Sequence, residues 1–394
     1  MSPKAFKVTR KRAKLSAREI RTRSVMNNSW VKTTSLFVFS ILLSLVGAEA
    51  VIRAFMKDQI VLFPRYHTAA HYGNFVLRRL RPNTVFWHTS VDGSWQFVTN
   101  AQGFRDQRDF NYVKLEGRLR VLALGDSHTE GFEVRQSQTF SAIIERYLNV
   151  RGVDAEVLNT GISGFSTAEE FVFLTNEGIR YDPDVVVLGF YANDFEDNVK
   201  AGLYKLVSGQ LVVAKREHVP GVRVLDIINS VAPLRWLSEG SYFYSFGMNT
   251  VWKRAKVSLF REAEQQLTTE FAVPTEEVTD YKKKLMAALL KEMYRYCRAR
   301  DIKLVIIDIP MVSSDKQFRS SVPEDMVEVV RTSSDAFISS ENVLSKFRNL
   351  TDIHVPHGHR HISEFTHTLL GTAAGSAIVG LNRVSRRQAS VAHP

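Results

Sequence analysis

Four short, largely apolar runs constrain this chain more than any other feature: residues 120–125 (RVLALG), 155–158 (AEVL), 185–189 (VVVLG) and 303–309 (KLVIIDI). A strand with one face in water alternates apolar and polar residues. Continuous runs rich in β-branched residues suit strands covered on both faces. Helical patterns lie between them, at 139–151 and 167–177, and another at 276–300 leads into the fourth run. Alternation of this kind predicts an α/β fold, a parallel sheet with helices on both sides. Residues 196–275 interrupt the rhythm and carry Trp236, Tyr242, Phe243, Tyr244, Phe246 and Trp252. They are expected to form an insertion, either a lid beside the site or an added packing layer. Residues 56–118 hold Phe86-Trp87-His88 and Trp95-Gln96-Phe97 and read as a β-rich lead-in to a domain spanning 119–385.

Ahead of these lies the longest apolar run, residues 33–52 (TTSLFVFSILLSLVGAEAVI), in which Glu49 is the only charge. About 20 such residues cross the hydrocarbon core as a helix. Residues 33–55 are therefore expected to be a membrane anchor. Ala48-Glu49-Ala50 also fits a signal-peptidase site, but the long basic segment before the run and the length of the run favour an uncleaved anchor. Lys and Arg are retained in the cytoplasm, so residues 1–32 are expected inside and the C-terminal domain outside.

The charge belongs to that tail. The 394 residues carry a formal +11, but ten Lys or Arg and a single acid fall in residues 1–32. Without them 42 basic residues face 40 acidic ones, a net of +2. The remaining chain has no field that would attract a polyanion, so nucleic acid is not an expected partner. The single cysteine, Cys297, cannot form an intrachain disulfide; its helical neighbourhood reads as packing.

Chemistry gathers at the ends of the strands. The first run leads directly into Gly125-Asp126-Ser127, the second into Asn159-Thr160-Gly161-Ile162-Ser163-Gly164, and the third into Tyr191-Ala192-Asn193-Asp194. Ligands bind at the C-terminal edge of such a sheet. A serine at a strand-to-helix turn is a candidate nucleophile. The Ser127 and Gly164 amides and the Asn193 side chain are candidate oxyanion donors. Each alone has a plainer reading, helix capping for Asp-Ser and turn formation for Gly164 and Asn193. The ordered set makes that reading weaker. The base should come from the C-terminus, where five of the eleven histidines fall between Asp352 and His367. Glu364-Phe365-Thr366-His367 places an acid three residues before a histidine, ahead of the small-residue run 371–375. His367 is the expected base and Glu364 its acid, with His354 and Asp352 second. His357, His359 and His361 are expected in hydrogen-bonded or exposed roles; no CxxC or HExxH motif accompanies them, and neither metal nor cofactor is expected.

At these residues the sequence resembles the SGNH (GDSL-like) hydrolase superfamily: Gly125-Asp126-Ser127 is similar to its first block, Gly164 to the second, Asn193 to the third and His367 to the last. The resemblance covers roughly residues 119–380 outside the insertion. It implies a flavodoxin-like three-layer α/β/α sandwich, Ser127 as nucleophile, His367 as base, and Gly164 with Asn193 in the oxyanion hole. One departure is that the last block, usually Asp-x-x-His, here reads Glu-x-x-His. The implied activity is cleavage or transfer of an acyl ester, with a short acyl group on an envelope glycan as the expected substrate. A membrane acyltransferase is the further partner such a protein would have. The alternative is an inert scaffold or glycan-binding module that kept the fold.

Overall fold

A computed structural model describes the backbone of residues 3–62, 64, 66–251, 254, 275–314 and 316–392. The chain divides into two units, Met1–Lys57 and Asp58–Pro394. The first is the helix α1 (Pro3–Phe55). Within it Ser29–Phe55 is long and apolar enough to cross a membrane. Its 27 residues rise about 40 Å against a hydrocarbon core of about 30 Å. Trp30, Leu36, Phe37, Phe39 and Leu43 are all exposed along it, as a lipid-facing helix requires. Glu49 is matched one turn later by Arg53 at 2.8 Å.

The second unit begins with two hairpins, β1 (His67–Tyr72) with β2 (Phe75–Leu80), and β3 (Val85–Ser90) with β4 (Gly93–Val98). The chain then enters the central sheet: β5 (Leu119–Gly125), β6 (Ala155–Asn159), β7 (Val185–Phe190), β8 (Lys303–Asp308) and β9 (Ala336–Ile338). All neighbours pair parallel, in the spatial order β9-β8-β7-β5-β6. Renumbered from its first strand this is 2-1-3-4-5, the flavodoxin-like order, whose switch point lies between β5 and β7.

The continuous apolar runs arise because the strands bury both faces. Leu122, Leu124, Val186, Leu188, Leu304 and Ile306 go to one core, and Val121, Ala123, Val185, Val187, Val305 and Ile307 to the other. The turn helix α2 (Ser127–Glu130) follows β5, and α3 (Phe140–Val150) leads on to β6. The helices α4 (Thr167–Asn176), α5 (Asp194–Ala201) and α6 (Thr275–Arg298) follow in the chain, and α7 (Glu364–Ala392) closes it. Helix α6 sends Leu285, Met286, Leu289, Met293 and Cys297 into the first core, where burial pushes the Cys297 thiol up to about 12. On the other face α7 packs on α3. A Cβ at Gly371 would stand 2.8 Å from the Phe140 carbonyl oxygen. The small-residue run is thus a close helix–helix contact, and α7 reaches the sheet across it through Leu370, Ala374 and Ile378.

The expected insertion leaves the sheet edge after β7. Its residues 217–218 add a third, parallel strand beside β2, and Arg81 pairs with Asp226 at 3.1 Å. Trp252 and residues 255–274 of that segment lie outside the described residues.

Candidate active site

The turn that carries Ser127 is built by capping and by a clamp. Asp126 precedes α2, and its Oδ1 accepts the His128 amide at 2.8 Å. The chain then curls back sharply, with the Gly131 and Phe132 amides both donating to the Ser127 carbonyl. Arg105, buried in the segment after β4, grips the far end of this turn. It donates to the carbonyls of Glu130 (2.8 Å), Gly131 and Val134 (2.6 Å) and stacks over Phe97.

That curl brings Glu133, six residues past the serine, to the same place as a loop from the far end of the chain. His361 Nε2 lies 2.8 Å from Ser127 Oγ, and His361 Nδ1 lies 3.0 Å from Glu133 Oε2. A carboxylate only accepts, so Nδ1 carries the hydrogen and Nε2 is left to accept from the serine hydroxyl. Glu133 also accepts the amides of His359 (2.7 Å) and His361 (3.1 Å). Burial alone would raise its pKa. The hydrogen bonds from His359 and His361 outweigh that and hold the carboxyl well below the usual range. Gly358 completes the seal: a Cβ there would fall 2.2 Å from Glu133 Oε1, and its φ of +70° suits glycine.

The lead-in forms the back wall. His88 stacks on Trp95 at 4.6 Å and meets Phe132 edge-on at 5.4 Å. Phe132 in turn touches the rings of His359 (5.3 Å) and His361 (4.9 Å). Burial lowers His88 to about 3, so this support stays neutral at physiological pH. His357 is held separately by Asp92 at 2.9 Å.

The expected base and acid are elsewhere, and both assignments are corrected. Ser363 caps α7, its Oγ accepting the Thr366 amide, so residues 364–367 form a helical turn rather than an overhanging loop. His367 faces inward with no exposed surface. Its Nδ1 accepts the Phe140 amide at 3.1 Å, and burial lowers it to about 3. Glu364 is bound by Arg135, which approaches at 2.8 Å through Nε and 2.5 Å through Nη2. The second pair fails too, since His354 Nε2 bonds the Pro310 carbonyl at 2.9 Å.

Gly164 and Asn193 do lie at the C-terminal edge, after β6 and β7. The Gly164 loop is tied to α2 by the Ser163 amide on Glu130 Oε2 (2.5 Å) and by Asn159 Nδ2 on the Thr129 carbonyl (2.9 Å). Asn193 gives one amide hydrogen to Asp197 at 3.0 Å and approaches Asp126. Burial pushes Asp126 up to about 7 against the hydrogen bond from His128; Glu170 is likewise driven upward by burial and by Asp126, and Asp194 by burial and by Glu170. On the loop that carries His361, a cleft of about 340 Å³ is lined by Lys316, Asp352, His354, His357 and Arg360.

Residues 123–274 match the GDSL-like lipase/acylhydrolase family. The chain is an ester-acting hydrolase with the SGNH fold. Solved structures similar to it include TesA, at 13% identity over 65% of this chain and 97% of that one, with a TM-score of 0.33. A G-D-S-L lipolytic protein from Desulfitobacterium hafniense matches at 11% identity over 66% and 98%, with a TM-score of 0.33. An acetylxylan esterase from Geobacillus stearothermophilus matches at 13% over 68% and 96%, with a TM-score of 0.37. No curated protein matches the hydrolase.

Proposed function

We propose that the hydrolase cleaves or transfers a short, acetyl-like acyl group on an envelope glycan through a covalent Ser127 acyl-enzyme. The reading rests on one observation, the relay from Ser127 Oγ through His361 to an ionised Glu133. His361 takes the serine proton as Oγ attacks the ester carbonyl, and returns it to the departing alcohol. Water or a second hydroxyl then repeats the sequence in reverse. The Ser127 and Gly164 amides and the Asn193 side chain receive the oxyanion, each such donor worth about 10²–10³ in rate.

The full chain in detergent is expected to hydrolyse 4-nitrophenyl acetate and to take a fluorophosphonate label on Ser127. Ser127→Ala should lose both. Turnover that survives in Ser127→Ala would remove the serine from the mechanism, and a wild-type chain that neither turns over nor labels would return the fold to a scaffold role.

Ser29–Phe55 serves in this reading as the membrane anchor, with the basic tail inside and the hydrolase domain outside the cytoplasm. A reporter fused after Pro64 should be active only on the outer side. Activity in the cytoplasm would reverse the orientation.

A further inference from the structure

Among the described residues, the deeply buried arginines Arg105 and Arg120 spend their terminal nitrogens in hydrogen bonds, and Arg78 does not. Arg105 spends its terminal nitrogens on three carbonyls. Arg120 reaches Glu156 at 2.7 Å and the carbonyls of Tyr112 (2.9 Å) and Tyr181 (2.5 Å). Arg78, on β2 of the lead-in, is only 7% exposed, yet no hydrogen bond or ion pair holds it among the described residues. Its Nε is sealed from solvent with no acceptor.

The guanidinium ends on the active-site edge. A Cβ placed on Gly164 would lie 2.4 Å from Arg78 Nη2 and 3.4 Å from its Cζ. Gly164, with φ +75°, therefore leaves room for the cation directly against a proposed oxyanion donor. Glu130 lies within reach of its field but forms no ion pair with it. One Glu130 oxygen is taken by the Ser163 amide, and burial raises that carboxyl's pKa despite Arg105 and Arg78. A cation taken from water without a counter-charge is costly, and the balance is restored when a ligand supplies the anion. The planar guanidinium offers parallel donors that match a carboxylate or phosphate.

We propose that Arg78 is the anion-recognition residue of this active site, receiving a negatively charged group carried by the ester substrate. The proposal deepens the acyl-transfer reading and rests on it for the identity of the reacting bond. The anion has two sources, the acyl group of a dicarboxylic half-ester or the alcohol side, as in an acetylated uronic acid.

The test uses the full chain in detergent with paired substrates. 4-Nitrophenyl acetate is set against mono-4-nitrophenyl succinate, and acetylated methyl glucoside against acetylated methyl glucuronide. Arg78→Met should lower kcat/KM for the charged member of one pair by about 10- to 100-fold, chiefly through KM, and leave its neutral partner within about threefold. Arg78→Lys should recover part of the loss. The pair that responds identifies which side carries the anion. Equal loss on charged and neutral esters, or no change in their ratio, overturns the proposal. Should the wild type hydrolyse none of the four, the functional reading has failed, and anion binding decides the inference alone. Succinate or glucuronate should then raise the wild-type Tm and not that of Arg78→Met; no protection by either overturns it. If Arg78→Met does not fold by circular dichroism, Arg78→Gln and Arg78→Lys take its place in both measurements.

Discussion

Replacing His361 with alanine is expected to reduce kcat/KM on 4-nitrophenyl acetate by at least about 10³-fold, as much as Ser127→Ala, with the double variant no worse than either. The two groups act as one unit: without the imidazole ring no base stands against Ser127 Oγ to accept its proton, and without the hydroxyl the base has nothing to activate. His367→Ala provides the contrast. That ring sits in the core against Phe140 and accepts the Phe140 amide. Its removal should cost about 1–3 kcal/mol of stability, because the amide is left unpaired, with kcat little changed. Stopped assays on folded variants, with Tm measured alongside, separate the two effects. A His367→Ala chain that stays folded but is dead, beside an active His361→Ala, would restore the base to α7.

Glu133→Gln should lower kcat by about 10²–10⁴-fold with KM nearly unchanged. The amide keeps the size of the carboxylate but can donate to Nδ1, which favours the hydrogen on Nε2 and removes the acceptor that Ser127 needs. The same substitution tests the electrostatics. The Glu133 pKa is depressed in the folded protein relative to its ordinary value of 4.5. Its ionised form therefore contributes stability that is fully present above about pH 4.5 and is lost as pH falls toward the depressed value. The wild type should be more stable than Glu133→Gln at neutral pH, and the gap should close only below that point. A gap that instead closed between pH 8 and 6 would show that Glu133 does not hold its charge as described. So would wild-type kcat in Glu133→Gln for its role as the orienting acid.

The parallel sheet was legible because its signal is local. Each run of β-branched residues records that both faces of its own strand are buried, and the two interleaved sets of β5, β7 and β8 are that record in three dimensions. The shortest strand, β9, went unread because three residues carry no period, and its neighbours supply its burial. Ser127, Gly164 and Asn193 were legible for a related reason: each follows a strand end, and a parallel sheet delivers all its C-termini to one edge.

The expected base and acid do not meet Ser127, because adjacency in sequence stood in for adjacency in space. Glu364 and His367 are three apart and look like a pair, but Ser363 caps a helix there, which turns one side chain to Arg135 and the other into the core. His361 was in view within the histidine cluster. Its period-two spacing from His357 and His359 marked nothing, because the chain turns there, with Gly358 at φ +70° and Arg360 at +55°, and His357 goes to Asp92 instead. Glu133 left no sign at all, since a glutamate six residues past a serine is ordinary surface composition until the turn curls back.

What the sequence determined by itself was the sheet, its parallel sense, the apolar N-terminal helix and the place of Ser127 at a strand end, all encoded by patterns a few residues long. Only the tertiary structure decided the partners of that serine. Glu133 and His361 stand 228 residues apart, and neither is positioned by its own neighbours in the chain. Arg105 clamps the turn that carries Glu133, His88 and Phe132 back the imidazole, and Gly358 closes over the carboxylate. Long-range packing of this kind leaves no local period, because the contacts that set the geometry come from segments that meet only when the chain has folded.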